Sequence, residues 1–328
     1  MYLAAFNCYL MKKKDLFLLV LVFALTWSCK KDDDKLDIEV VPPQSLSETA
    51  IEDDAEIKEY LQTHFYNYEE FDNPPTDFDY KIKFDTIAGD NAGKTPIIDM
   101  TDNLKTEVIT VKSSDFGRDD DEEVSHTLYT LVVREGEVEE HPTIGDYTVL
   151  HYEGTLIDGT AFDASVNVEA RLYLSSTVRG YGNGVEYLSP GTGPFENGDG
   201  TVSFEGYGIG AVFIPSGLGY FDRAPSGSGI ASYTPLVFKI DLLSFEANTD
   251  FDGDGIPSIL EDLDGDGNLN NDNTDQDTER IFLPNHNDSD DDADGIPTID
   301  EIDIDNEGNV TFRDTDGDGI SDHLDSDS

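Results

Sequence analysis

Four patterns of apolar residues succeed one another along the chain. Residues 16–25 form an unbroken apolar run. Between 50 and 65, Ile57, Tyr60, Leu61, His64 and Phe65 recur at helical spacing, which predicts one amphipathic helix. Thr49 and Glu52 are its expected capping box, and His64 is expected to pack on its apolar face. Short alternating runs follow. Residues 97–100, 107–112 and 128–133 read as strands, with an acidic loop at 115–123. Residues 147–152 and 155–157 read as two extended pieces before a tight Asp158-Gly159 turn, and 172–174 as a further short strand. Leu236, Phe238, Ile240 and Leu242 alternate with Lys239 and Asp241, the pattern of a half-buried strand. After Thr249 no long apolar face remains, only short apolar stretches set among regularly spaced aspartates.

The first apolar run is an address rather than part of a core. Lys12, Lys13 and Lys14 precede it, and Thr26-Trp27-Ser28-Cys29 follows. A basic head and a short apolar stretch describe a secretory signal, and the run falls short of the ~20 residues that span a bilayer. The cysteine after it resembles a bacterial lipoprotein signal, with cleavage before Cys29 and lipid attached there; the bland alternative is an uncleaved anchor helix. Met11 is a more typical start than Met1. Lys30-Lys31-Asp32-Asp33-Asp34 resembles the export tag of surface lipoproteins in Bacteroidetes-type bacteria, or is a plain charged linker. The expected location is the cell envelope, on the outer membrane, facing the periplasm or the surface. Residues 1–28 are then a signal peptide and 29–46 a lipidated tether.

Charge changes the picture most. Against 20 basic residues stand 71 acidic ones, a formal charge of −51, so nucleic acid and anionic lipid surfaces are excluded as partners and cations are favoured. The only cysteines are Cys8 and Cys29, so no disulfide framework is possible in a chain that loses its first segment.

The acid concentrates in repeats. Asp250, Asp252, Asp254 and Glu261 fit the calcium-loop spacing D-x-D-x-D-G-x5-E, and so do Asp290, Asp292, Asp294 and Glu301. Asp262, Asp264 and Asp266 lack the closing glutamate; Asp314, Asp316 and Asp318 close on Asp325. Asp303, Asp305 and Glu307 are a further near-fit. Calcium takes about six to eight hard oxygens, so alternate carboxylates converge on one ion while the glycine permits the turn. A backbone carbonyl of Ile256, Ile296 or Ile320 is the expected seventh-position ligand, and these side chains are expected to touch between successive turns. Pro257 and Pro297 exclude long flanking helices. The region, 248–328, resembles thrombospondin type 3 repeats; its alternative is a disordered acidic tail. His286 and His323 are expected bystanders.

The stretch 147–165, YTVLHYEGTLIDGTAFDAS, is the most specific in the chain. His151, Tyr152, Gly154, Leu156, Asp158, Gly159, Phe162, Asp163 and Ser165 stand in register with the signature of FKBP-type peptidyl-prolyl cis-trans isomerases, which it resembles. Val178-Arg179-Gly180-Tyr181 resembles the family's V/I-R-G-W, residues 214–220 its I-P-x-x-L-x-Y, and residues 230–243 its closing strand. The resemblance covers about a third of the chain. It implies an α+β fold: a strongly twisted antiparallel sheet over one short helix, beside an irregular calcium-loop region. It also implies an apolar pocket for a proline-containing polypeptide, made by Tyr152, Phe162, Asp163, Val178, Tyr181, Tyr220, Ile230 and Phe238. Tyr181 would be the floor and Phe162 and Phe238 the walls. Tyr220 would donate to a substrate carbonyl, Asp163 would orient nearby groups, and Ile230 would offer its N–H. No cofactor is implied for this chemistry.

Three positions depart from the family: Tyr181 replaces tryptophan, Arg171 is the nearest basic partner for Asp163 and is out of register, and residues 192–207 are inserted. The expected organisation is an N-terminal extension with one helix at 47–126, an isomerase domain at 127–247 and calcium repeats at 248–328. The expected function is proline isomerisation that assists folding of exported proteins, from a lipoprotein held on the membrane by Cys29. The rival is a non-enzymatic surface adhesion or scaffold protein that uses the same module with a calcium-stiffened stalk.

Overall fold

Ser45 starts the first helix. In the computed structural model, which describes residues 44–275 and 282–328, helix α1 runs Leu46–Thr63, and the Ser45 hydroxyl accepts from the Glu48 N–H at 3.1 Å. Thr49 is one turn too late to cap: its hydroxyl donates back to the Leu46 carbonyl at 3.0 Å. The cap is therefore Ser45, one turn before the expected Thr49–Glu52 box, because Leu46 is fully buried and draws the start of the helix inward. Ile57 and Leu61 face the core, and His64 stacks on Tyr60 with ring centroids 3.8 Å apart. The chain leaves α1 into a two-stranded ribbon, β1 (His64–Tyr66) with β2 (Phe84–Thr86), around a short helix α2 (Tyr68–Asp72). Residues 97–100 are not the expected strand. Pro96 opens a 3-10 turn, Ile97–Asp99, that buries Ile97. The signal segment, Cys29 and most of the tether lie outside the described residues.

Six strands form one antiparallel sheet. They are β3 (Leu104–Lys112), β4 (Glu123–Arg134), β5 (Tyr147–Leu156), β6 (Ala161–Tyr173), β9 (Gly208–Ile214) and β10 (Leu236–Glu246), in the order β3-β4-β9-β10-β5-β6. The boundary expected at 126/127 falls inside β4, and β3 belongs to the same sheet. The two extended pieces expected at 147–157 are one strand, and Gly159 at φ +86° makes the turn into β6. Residues 192–207 form a separate hairpin of β7 (Thr192–Glu196) and β8 (Val202–Glu205). Helix α3 (Arg179–Val185) lies against the sheet and is buried from Gly180 onward. Its glycines permit that approach: a Cβ on Gly184 would stand 2.4 Å from Val212, and one on Gly180 2.5 Å from Ile214.

Both faces of the sheet are covered. One face, with Val212, Ile214, Phe238, Ile240 and Leu242, packs on α3, which contributes Tyr181 and Val185. The other, with Tyr129, Leu131, Ile209, Phe213 and Val237, packs on Ile57, Leu61, Tyr66, Ile82 and Ile97 from the N-terminal extension. Each such buried aliphatic chain contributes roughly 1.5–3 kcal/mol, so the extension is part of the domain's core. This corrects the expectation of a half-buried β10. Asp241 is buried beneath an ion pair with Lys81 of the extension, and Lys239 pairs with Glu153 at 2.8 Å.

Beyond β10 the chain becomes a series of short turns, with α4 (Thr298–Glu301) and a ribbon of β11 (Ile302–Ile304) and β12 (Val310–Phe312). Gly255, Gly267, Gly295 and Gly319 all have positive φ, as the loop pattern requires. The region docks on the sheet domain. Leu269 is buried in the α3-side core, and the Tyr147 N–H donates to the Thr249 hydroxyl at 3.0 Å. The expected contact between isoleucines is only partly present. Ile256 is buried, but Ile296 and Ile320 are exposed; Ile299, Ile302 and Ile304 crowd Gly255 instead. Among the described residues no helix is long and apolar enough to cross a membrane.

Candidate functional site

Register builds the first site. Phe238 on β10 faces Gly154 on β5. A Cβ at Gly154 would stand 2.7 Å from Phe162 and 2.8 Å from Phe238, so only glycine leaves room for both rings. Phe238 meets Phe162 edge-on at 5.5 Å and Tyr181 edge-on at 4.9 Å; Tyr152 meets Tyr181 at 6.4 Å. Val178 sits at the start of α3, and Tyr220 and Ile230 come from the loop between β9 and β10. All eight expected residues, Tyr152, Phe162, Asp163, Val178, Tyr181, Tyr220, Ile230 and Phe238, line one cavity of about 470 Å³. Leu172, Ser176, Thr177, Pro225 and Ser228 line it too, and sequence reasoning missed them. No residue of the 192–207 insertion does.

The polar groups are arranged differently from expectation. Arg171 does not serve Asp163. It pairs with Glu246 at 2.7 Å and lies over the Tyr147 ring, because it stands opposite Val149 at the far end of β6. Asp163 accepts instead from the Tyr152 hydroxyl at 2.7 Å. Burial, and then Asp163, pushes the Tyr152 phenol up to about 12, so it remains a donor at physiological pH. The Ile230 N–H already donates to the Ser228 hydroxyl at 3.2 Å. Tyr181 is buried, its hydroxyl has no partner, and burial raises its pKa well above the ordinary phenol value. The cavity is thus an aromatic slot with a carboxylate–phenol pair on one wall.

A second set of sites lies in the aspartate loops. Carboxylate oxygens converge within 4.8 Å of one another in five groups: Asp250, Asp252 and Asp254; Asp254, Glu261 and Asp291; Asp262, Asp264 and Asp272; Asp290, Asp292 and Asp294; Asp314, Asp316 and Asp318. In three loops the same hydrogen bonds recur. Gly255, Gly295 and Gly319 donate to Asp250, Asp290 and Asp314 at 3.0–3.2 Å. Ile256, Ile296 and Ile320 donate their N–H groups to Asp254, Asp294 and Asp318. Three expected carboxylate ligands stand outside these groups. Asp266 turns to Arg179 at 3.4 Å, and Glu301 and Asp325 join none. Asp272 and Asp291 were not expected, since neither occupies an alternate position of a loop. The near-fit at Asp303, Asp305 and Glu307 is the turn between β11 and β12, where Asp305 accepts from Glu307 and Asn309. His286 bonds Tyr173 at 3.0 Å and His323 stacks on Phe312, both packing roles.

These carboxylates are buried without donors. Glu261 and Asp291 are 3% and 2% exposed, and among the described residues neither side chain has a hydrogen-bond partner on either oxygen. Burial, then Asp252 and Asp254, pushes Glu261 up to about 11; burial, then Asp254 and Asp252, pushes Asp291 to about 9. Clustered buried carboxylates favour either a proton or a compensating cation, and a donor set made only of hard oxygens fits calcium.

No family model matches the chain. Over 105 residues it is 29% identical to the peptidyl-prolyl cis-trans isomerase Mip of Coxiella burnetii, covering 31% of this chain and 38% of that protein. Over 122 residues it is 30% identical to the probable FKBP-type peptidyl-prolyl cis-trans isomerase FkpA of Neisseria meningitidis serogroup B, covering 37% of this chain and 38% of that protein. Among solved structures, a peptidyl-prolyl isomerase from Pseudomonas syringae aligns at TM-score 0.29 and 22% identity, over 36% of this chain and 75% of that one. FkpA from Escherichia coli aligns at TM-score 0.32 and 20% identity, over 72% and 74%. The matches thus span less than half the length of the curated relatives. Over those residues the chain is homologous to FKBP-type peptidyl-prolyl cis-trans isomerases.

Proposed function

We propose that the protein is a peptidyl-prolyl cis-trans isomerase that assists folding of exported proteins. In this reading it is a lipoprotein held at the outer membrane through Cys29, and its C-terminal repeats bind calcium. One observation carries the enzymatic part: eight residues spread over 87 positions of sequence, chosen on a motif, meet in one aromatic cavity. Rotation about the prolyl amide faces a barrier of about 18–20 kcal/mol, because it breaks C–N resonance. The twisted amide has lost that resonance and its carbonyl is less polar. A dry aromatic slot therefore favours it over the planar ground state. Tyr181 and Phe238 hold the proline ring. The Tyr220 hydroxyl donates to a neighbouring substrate carbonyl, and Asp163, fixed by Tyr152, lies beside the twisting bond. Calcium would supply structural charge compensation in the repeats, held by the carboxylates of the five groups.

The test is the cis-to-trans relaxation of a proline tetrapeptide. Wild type should accelerate it over buffer, and Phe238→Ala should lose most of that acceleration. A wild-type rate equal to buffer refutes the enzyme reading. It would favour the second reading, a scaffold that only grips a proline-containing segment. That reading has one observation of its own: the Ile230 N–H is already engaged by Ser228.

A further inference from the structure

We propose that the second aspartate loop, residues 262–272, is the outer support of the proline pocket, and that a divalent cation on Asp262, Asp264 and Asp272 fixes that support. The inference rests on the reading of the pocket and of the calcium loops given above, and it adds a link between them.

One side of the cavity is made by Ser176, Thr177, Val178 and Tyr181. These residues belong to a continuous piece, the 3-10 turn Leu174–Ser176 followed by the start of α3. No side chain caps that helix start. The Leu174 N–H donates to the Asp146 carbonyl, Ser175 to the Ile144 carbonyl and Arg179 to the Thr110 carbonyl, and the aspartate loop adds a brace on the outer side. Asn270 donates its Nδ2 to the Ser175 carbonyl at 2.8 Å. Arg179, in the first turn of α3, donates to the Asp266 carbonyl at 2.7 Å and faces the Asp266 carboxylate at 3.4 Å. Leu269 is fully buried in the same core as Tyr181 and Phe238. The three bracing residues, Asp266, Leu269 and Asn270, therefore touch the back of the wall whose front lines the pocket.

The cation site closes this loop from both ends. Asp262 and Asp264 precede the bracing residues and Asp272 follows them, and their oxygens lie within 4.8 Å of one another. Asp272 is 6% exposed, and among the described residues its Oδ2 has no hydrogen-bond partner. It is thus a buried acceptor aimed at two further carboxylates, a set that oxygen-seeking divalent cations complete. Asp262 also accepts from the Asp266 and Gly267 N–H groups at 3.1 and 3.0 Å, which ties the ligands to the brace. Without the cation, three like charges push the ends of the loop apart. Leu269 and Asn270 then lose their purchase on 174–179, and the pocket wall loosens.

Three measurements on the full chain test this: calcium titration by calorimetry, hydrogen exchange of residues 174–185, and the KM for a proline tetrapeptide, each with calcium and with a chelator. Calcium should slow exchange at 174–185 and lower KM, each by about fivefold or more. Asp272→Asn, which leaves the other loops intact, should remove the calcium effect on 174–185. Asn270→Ala should still bind calcium yet lose the effect, because its brace is gone. Calcium binding with unchanged exchange at 174–185 overturns the link while the calcium reading stands. Absence of calcium binding overturns both. Calcium-slowed exchange without turnover of the peptide supports the link and refutes only the isomerase reading.

Discussion

The sheet domain and the aspartate loops bury carboxylates in opposite ways. In the sheet domain each buried acid has donors. Asp53 accepts from the Ser216 N–H and hydroxyl at 2.7 and 2.6 Å, Asp146 accepts from the Thr143 N–H and hydroxyl, and Asp241 pairs with Lys81. In the loops, Glu261 and Asp291 are as deeply buried, and among the described residues their oxygens have no hydrogen-bond partner while other carboxylates converge on them. An acid held by hydrogen bonds is satisfied by the chain alone. An acid held against other acids needs either a proton or a cation. The first region thus carries its own compensation, and in the proposed reading the second takes it from calcium.

Calcium removal is the strongest way to break this contrast. A ligand at about a thousand times its dissociation constant stabilises the folded form by roughly 4 kcal/mol per site. With five carboxylate groups, chelation should unfold most of 250–325 while strands β3 to β10 stay protected. Hydrogen exchange and the hydrodynamic radius report both halves at once. Equal protection of the loops with and without chelator would mean that their charge is met in some other way.

The same contrast explains what could be read from the sequence. Local spacing encodes the loops that hold Asp250, Asp252 and Asp254, and the motif positions encode the pocket. Contacts that join distant stretches were not legible. Asp291 meets Asp254 and Glu261 only because one loop folds back on another. Asp266 fits the calcium spacing but is taken by Arg179 of α3. Ser176, Thr177, Pro225 and Ser228 reach the pocket through the path of loops and carry no signal of their own. The alternation in β10 correctly marked Leu236, Phe238, Ile240 and Leu242 as inward. It could not show that residues 44–100 would cover the other face, where Val237 is buried.

Within the sheet domain, Asp53 sharpens the comparison through pH. Burial outweighs its two hydrogen bonds from Ser216 and raises its pKa from 3.8 to about 6. The folded state therefore takes up this proton before the unfolded state does. The stability it contributes is fully present below about 4 and is lost as pH rises through about 6. Asp53→Asn removes that titration and keeps an acceptor for Ser216. The stability gap between wild type and variant should widen in favour of wild type by on the order of 2 kcal/mol from about pH 7 to about pH 4. Urea denaturation across that range measures it, and a gap independent of pH would show that Asp53 ionises normally in the folded protein.

The finest probe is to create in the sheet domain what Glu261 and Asp291 have in the loops. Lys81→Ala takes away the lysine that Asp241 pairs with, and Asp241 is 6% exposed. Removing one partner of a fully buried pair costs about 3–5 kcal/mol, but Lys81 is 43% exposed, so water shares the load and a loss of about 1–2 kcal/mol is expected. Adding Asp241→Asn should recover most of that loss, because the uncompensated charge goes with it. Calcium should recover none of it. A lone carboxylate opposite a lost lysine offers one ligand, whereas each aspartate group offers three. If calcium did restore the Lys81→Ala variant, the loops' dependence on cations would reflect acidity alone rather than the convergence of carboxylates that their spacing builds.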